Sequence, residues 1–136
     1  MVKPIMRDAF FLNQKSEEAT KADLPVAQDL EDTLKANREH CVGMAANMIG
    51  SRKRIIIVAA GFADMIMINP AITAKSDPYE AEEGCLSLPG TRKATRYESI
   101  TVDYLDKKFE KHTQTFSGHI AQIIQHECDH LEGILI

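Results

Sequence analysis

His126 and His130 stand four positions apart in the string His126-Glu127-Cys128-Asp129-His130. Residues at this spacing project from one face of an α-helix, so their imidazoles can converge on one metal ion. Glu127 leaves such a helix at a neighbouring angle and can take a proton from a water at that ion. A solvated amphipathic helix that happens to carry two histidines is the competing reading. A hydrolytic metal site needs a third protein ligand and one open position. Cys85, in Glu83-Gly84-Cys85-Leu86-Ser87-Leu88-Pro89-Gly90, is the best candidate for that ligand. Glycine on one side and Pro-Gly on the other make a constrained segment that can bring a thiolate and a backbone N–H close to a ligand. The alternative for Cys85 is a small buried hydrophobe.

The remaining reactive side chains carry less. Cys128 lies two residues after His126, on a different helical face, and reads as core packing. Asp129 either accepts a hydrogen bond from a nearby group or is solvated. His112 and His119 have no partner pattern and read as surface residues. His40 adjoins Cys41, but nothing nearby completes a Cys–His nucleophilic pair. An odd count of scattered cysteines (Cys41, Cys85 and Cys128) argues against a disulfide framework and points to the cytoplasm, where thiols stay reduced.

Several elements must position these groups. Leu24–His40 is predicted helical, with Leu24, Ala27, Leu30 and Leu34 near helical spacing, Asp23 as N-cap and Pro25 in the first turn. Arg54–Ala60 and Met65–Asn69 read as short buried strands joined by a turn over Gly61–Asp64. Ala71–Glu83 is polar and reads as loop. Ile100–Leu105 alternates and is followed by a hairpin turn at Asp106–Lys108 and a partner strand over Phe109–Phe116. Ser117 would cap a second helix from about Gly118 to Leu131, with Gly133 stopping it in the left-handed conformation. The apolar tail Ile134–Ile136 reads as a last strand. This order predicts an α+β domain with antiparallel β-sheets packed around a C-terminal helix carrying the His-Glu-x-x-His string.

A length of 136 residues fits one compact domain over 1–136, and 44% hydrophobic with 26% charged residues can supply one core. The net charge of -4 gives no general pull toward nucleic acid or acidic membranes. The absence of tryptophan argues against stacking platforms for single-stranded nucleic acid. The longest apolar stretches, such as Ile55–Phe62, are too short to cross a bilayer, and the first residues contain no apolar core of a secretion signal.

Three segments together resemble the peptide deformylases. Val42-Gly43-Met44-Ala45-Ala46-Asn47-Met48-Ile49-Gly50 is similar to the family's G-φ-G-φ-A-A-P-Q-I-G stretch. Glu83-Gly84-Cys85-Leu86-Ser87 matches its E-G-C-L-S, and Gln125-His126-Glu127-Cys128-Asp129-His130-Leu131-Glu132-Gly133 fits its Q-H-E-x-D-H-L-x-G. The segments keep the family's order, and the resemblance runs from about Asp23 onward.

The resemblance implies removal of the formyl group from N-formyl-methionyl nascent peptides at the ribosome, with no direct nucleic-acid or membrane partner. It implies one divalent transition metal on Cys85, His126 and His130, natively Fe2+, with Zn2+, Ni2+ or Co2+ able to occupy the site. It makes Glu127 the general acid/base and the Leu86 backbone N–H the oxyanion donor, and assigns Gly43 and Met48 to substrate binding. Glu83 would pair with Arg96 to brace the cysteine loop. The first segment departs from the family at Cys41, Asn47 and Met48. Met48 replaces the glutamine whose amide donates to the formyl oxygen, and a thioether has no donor. Asn47 carries an amide, but in an extended segment it would point the other way. A catalytically weak or inactive relative that binds metal and peptide is therefore the alternative to an active enzyme. An unrelated His-Glu-x-x-His metalloprotease is a third reading, disfavoured by the E-G-C-L-S segment.

Overall fold

The computed structural model describes all 136 residues. After an extended N-terminal arm comes one helical turn, α1 (Ala9–Leu12), capped by the Asp8 carboxylate on the Phe10 N–H at 3.0 Å. Helix α2 spans Leu24–Ala36, with Ala27, Leu30 and Leu34 on its buried stripe. It stops short of the expected His40 because Asn37 turns its amide back onto the Thr33 carbonyl at 2.8 Å. The residues 37–40 also offer no apolar side chain to extend the stripe. Asp23 occupies the N-cap position but caps nothing there; its carboxylate instead accepts from the Thr20 N–H.

Five strands follow: β1 (Gly43–Ala45), β2 (Ile55–Ala59), β3 (Asp64–Cys85), β4 (Leu88–Leu105) and β5 (Lys111–Ser117). A 3-10 turn over Ala46–Ile49 separates β1 from β2, and helix α3 (Gly118–Leu131) ends the order. The strands form one sheet in the order β1-β2-β3-β4-β5, every neighbour antiparallel. Successive side chains of a strand face opposite sides. Ile55 and Ile57 of β2 accordingly enter a core with Leu30 and Leu34 of α2, while Ile56 and Val58 enter another with Ile124 and Leu131 of α3. At β2 the sheet is thus covered on both faces, which is why β2 reads as a continuous apolar run rather than an alternation. No helix is long and apolar enough to cross a membrane.

The structure corrects four further local expectations. The polar stretch over 71–83 is not loop but the outer half of β3, paired with β4 from Ala71↔Asp103 to Gly84↔Thr91. Its side chains are largely exposed on both faces, so backbone hydrogen bonds hold it and no hydrophobic period marks it. The partner of the 100–105 segment starts at Lys111, because Phe109 takes a left-handed φ of 61° in the turn. Ser117 sits at the N-cap of α3 without a side-chain capping bond. Ile134–Ile136 forms no strand: Gly133 donates to the His130 carbonyl and Ile134 to that of Asp129, both at 3.0 Å. That pair of bonds is the left-handed glycine stop expected at Gly133, whose φ is 75°.

Candidate metal centre

Cys85 ends β3 at the tip of the long β3–β4 ribbon, where it pairs with Leu88. Hydrogen bonds between β4 and α3 hold the ribbon against the helix. Gln125 brackets the Tyr97 backbone, accepting from its N–H and donating to its carbonyl at 2.8 Å each. Arg96 donates to Asp129 at 2.7 Å. Cys85 Sγ consequently lies 3.3 Å from His130 Nε2, which is 3.1 Å from His126 Nε2. The ligand atoms of Cys85, His126 and His130 all fall within 4.8 Å of one another. Both imidazoles are buried, His130 completely, while Cys85 is half-buried.

A layer of charged groups fixes this cluster. His126 Nδ1 faces Glu83 Oε1 at 2.9 Å. An ionised carboxylate only accepts, so Nδ1 donates and Nε2 is the nitrogen turned toward His130 and Cys85. Glu83 also accepts two bonds from Arg96 Nε (3.0 and 3.2 Å), one from Arg96 Nη2 (2.7 Å) and one from Gln122 Nε2 (2.9 Å). The pairing of Glu83 with Arg96 is the one the sequence predicts. Its further link to His126 and the role of Gln122 were not anticipated, though Gln122 stands four residues before His126 on the same helical face. Burial alone would raise the Glu83 carboxyl, but the bonds from His126, Arg96 and Gln122 outweigh it and hold it at about 2.

The two imidazoles respond in opposite directions. Burial pushes His130 down to about 3, with His126 adding to the fall. Burial also opposes a proton on His126, but Cys85 and Glu83 outweigh it and raise it to about 10. Two ring nitrogens and a thiol sulfur converging this closely suit a divalent cation at their common focus. Soft sulfur beside imidazole favours zinc or iron over magnesium. Glu127 lies beside them with Oε1 buried and without a hydrogen-bond partner. Burial raises its carboxyl to about 7, near where a group both takes and returns protons at neutral pH.

The first segment forms the opposite wall. A Cβ on Gly43 would lie 2.6 Å from Ile123 Cγ2 and 3.0 Å from Glu127 Oε2, so only glycine lets β1 pass this close to Glu127. Met48 is fully buried among the apolar side chains packed on α2, its sulfur accepting from the Ala45 N–H at 3.4 Å. Asn47 lies in the 3-10 turn rather than in the extended segment expected of it, and its Nδ2 donates to the His130 carbonyl at 2.9 Å. Cys41 donates to the Gly43 carbonyl at 2.8 Å, and burial pushes its thiol up to about 12. Cys128 packs in the α3 core, as expected of it. His112 and His119 are exposed, also as expected. The sequence had no signal for Arg7, which donates to the Leu86 carbonyl at 2.6 Å across 79 residues of chain.

A helix that presents two imidazoles and a buried carboxylate to a cysteine on a strand tip has the layout of a metallohydrolase. A family model described as polypeptide deformylase matches residues 3–136. A peptide deformylase of Clostridium beijerinckii is 61% identical over 136 residues, all of both chains. Peptide deformylase 2 of Clostridium acetobutylicum is 36% identical over 127 residues, 91% of this chain and 85% of its own. Among solved structures, a Met-Ala-Ser-bound class I type b peptide deformylase from Acinetobacter baumannii superposes with a TM-score of 0.89 at 31% identity, covering 99% of this chain and 97% of that one. The chain belongs to the polypeptide deformylase family.

Proposed function

We propose that residues 1–136 act as a single metallohydrolase domain that removes the formyl group from N-formyl-methionyl nascent peptides as they leave the ribosome in the cytoplasm. The observation that carries this reading is the convergence of Cys85, His126 and His130 beside the unpartnered Glu127 carboxylate. Cys85 Sγ, His126 Nε2 and His130 Nε2 would hold one divalent transition metal, natively Fe2+, with Zn2+, Ni2+ or Co2+ as substitutes. When bound, the metal supplies Lewis-acid polarisation of the formyl carbonyl and acidifies a water. Glu127 takes a proton from the attacking water and delivers it to the leaving amine. The Leu86 backbone N–H donates to the oxygen that gains charge. Gly43, lacking a Cβ, leaves space beside the Glu127 carboxylate and would face the substrate.

Met48 supports a second reading, a weak or inactive relative that keeps metal and peptide binding. Its sulfur is occupied by the Ala45 N–H and donates nothing. One oxyanion donor is worth roughly 10²–10³ in kcat. The deciding experiment is hydrolysis of a formyl-Met peptide by anaerobically purified protein, with metal content measured on the same sample. Turnover proportional to metal supports the enzyme; metal-loaded protein that binds the peptide without turnover supports the second reading.

A further inference from the structure

A cleft of about 750 Å³ opens beside Cys85, along Leu86–Gly90 on one side and Cys41–Val42 on the other. A formyl group needs a small fraction of that space, so the body of the peptide would occupy the rest. The walls contain no aspartate or glutamate, and their charged or titratable side chains besides the cysteines are Arg7 and His40. This is a cationic recess in a chain with 20 acidic and 16 basic residues. On the far side of Val42 and Gly84, the adjoining pocket of about 200 Å³ is lined by Glu82, Glu83 and Glu127 together with His119 and His126. The carboxylates of the site therefore all stand at that end.

Arg7 is the one arginine that lines this recess. Arg52 and Arg92 bond to the Gln14 amide oxygen and the Pro89 carbonyl, and Arg38, Arg54 and Arg96 each pair with a carboxylate of the chain. Arg7 pairs with none: one nitrogen, Nη1, donates to the Leu86 carbonyl at 2.6 Å, while the side chain lines the cleft. The Met6 N–H also donates to the Met48 carbonyl at 2.7 Å, tying the arm that carries Arg7 to the opposite wall. The guanidinium is thus held at the cleft while its other N–H donors remain free. A planar fork anchored in this way suits a carboxylate.

We propose that Arg7 is a specificity-determining residue that recognises a side-chain carboxylate on the substrate, an aspartate or glutamate within the first few residues after the formyl-methionine. This rests on the deformylase reading of the site and names a substrate class within it. An ion pair open to water is worth about two- to fivefold in affinity, and salt weakens it.

The test compares C-terminally amidated formyl-Met-Ala-Asp and formyl-Met-Ala-Asn. Wild-type protein should favour the Asp peptide about two- to fivefold in kcat/KM, chiefly through KM, with the preference shrinking in 0.5 M salt as for any exposed pair. Arg7→Gln should bring the ratio to about one, and Arg7→Glu should reverse it. Any disturbance of Leu86 by these substitutions affects both peptides alike and cancels in the ratio. Formyl-Met-Ala as free acid and amide separates a chain terminus from a side chain; a gain confined to the free acid overturns the proposal. So does a ratio of one in wild type, or a preference that survives Arg7→Gln. Binding of fluorescently labelled acetyl-Met-Ala-Asp and acetyl-Met-Ala-Asn amides to zinc-loaded protein gives the same comparison without turnover. If no formyl peptide is hydrolysed, the deformylase reading fails, while equal affinities in this binding arm overturn the role of Arg7 separately.

Discussion

The two walls of the site are built in different ways. The wall made by α3 and the Cys85 ribbon is saturated with charged hydrogen bonds: Glu83 alone accepts from His126, Arg96 and Gln122. The wall made by residues 41–50 has no charged bond and is held by apolar packing, backbone bonds and a few neutral side-chain bonds such as that of Asn47 to the His130 carbonyl, and Asn47 Oδ1 is left without a partner. Strong, directional bonds fix where ligand atoms stand; packing fixes volume but not the direction of a donor. Substitutions among the groups that hold or brace the ligand atoms in the first wall should therefore cost metal or stability, and those in the second should leave metal bound.

The largest effect is expected at Cys85. Cys85→Ala should strip most of the metal, measured as metal per chain by elemental analysis, and abolish hydrolysis with it. Cys128→Ala, in the α3 core, should retain the metal, so equal retention by both variants would remove Cys85 from the ligand set. The same thiolate should make an iron-loaded form lose activity in air faster than a nickel-loaded form. Equal half-lives would count against iron as the native metal.

Next comes Glu83→Ala. Arg96 is 3% exposed and would keep only Asp129 as a charged partner. Breaking such a buried pair costs about 3–5 kcal/mol, readable in urea denaturation of metal-free protein. A loss under about 1 kcal/mol, the scale of an exposed pair, would show that the first wall is no stiffer than the second.

In the second wall, Met48→Gln should raise kcat/KM on formyl-Met peptides by about 10–10³-fold, mainly in kcat, with metal content unchanged. The Ala45 N–H that now meets the Met48 sulfur would meet the new amide oxygen and leave its NH2 to donate. Glu127→Ala should cancel the gain. Restoring the family's proline at 47 as well removes the bond from Asn47 to the His130 carbonyl, so the single substitution is the cleaner comparison. Fast turnover by wild type without improvement in the variant would mean that another group holds the oxyanion.

The smallest effect is expected for Asn47→Ala, which deletes that bond at a cost of about 0.5–1.5 kcal/mol in thermal denaturation. Metal per chain should not change. Loss of metal in this variant would show that the second wall positions His130 as firmly as the first wall positions His126.

Helix α3, its glycine stop and the convergence of His126 with His130 were legible in the sequence because each depends on residues within one or two helical turns. Cys85 was legible only as an alternative until its whole segment was matched to a family, since nothing local distinguishes a ligand thiol from a small core residue. The outer half of β3 was misread as loop because a two-stranded polar ribbon buries neither face and leaves no hydrophobic period. The sequence alone thus determined which side chains are candidates for chemistry and which helix presents two of them. Tertiary structure decided what surrounds them: the chain Arg96–Glu83–His126, the burial that leaves Glu127 unpartnered, the reach of Arg7 to Leu86, and the capture of the Met48 sulfur by Ala45. Most of these depend on the ribbon folding back onto α3 or on the N-terminal arm crossing it, contacts between residues far apart in the chain, which no local spacing encodes.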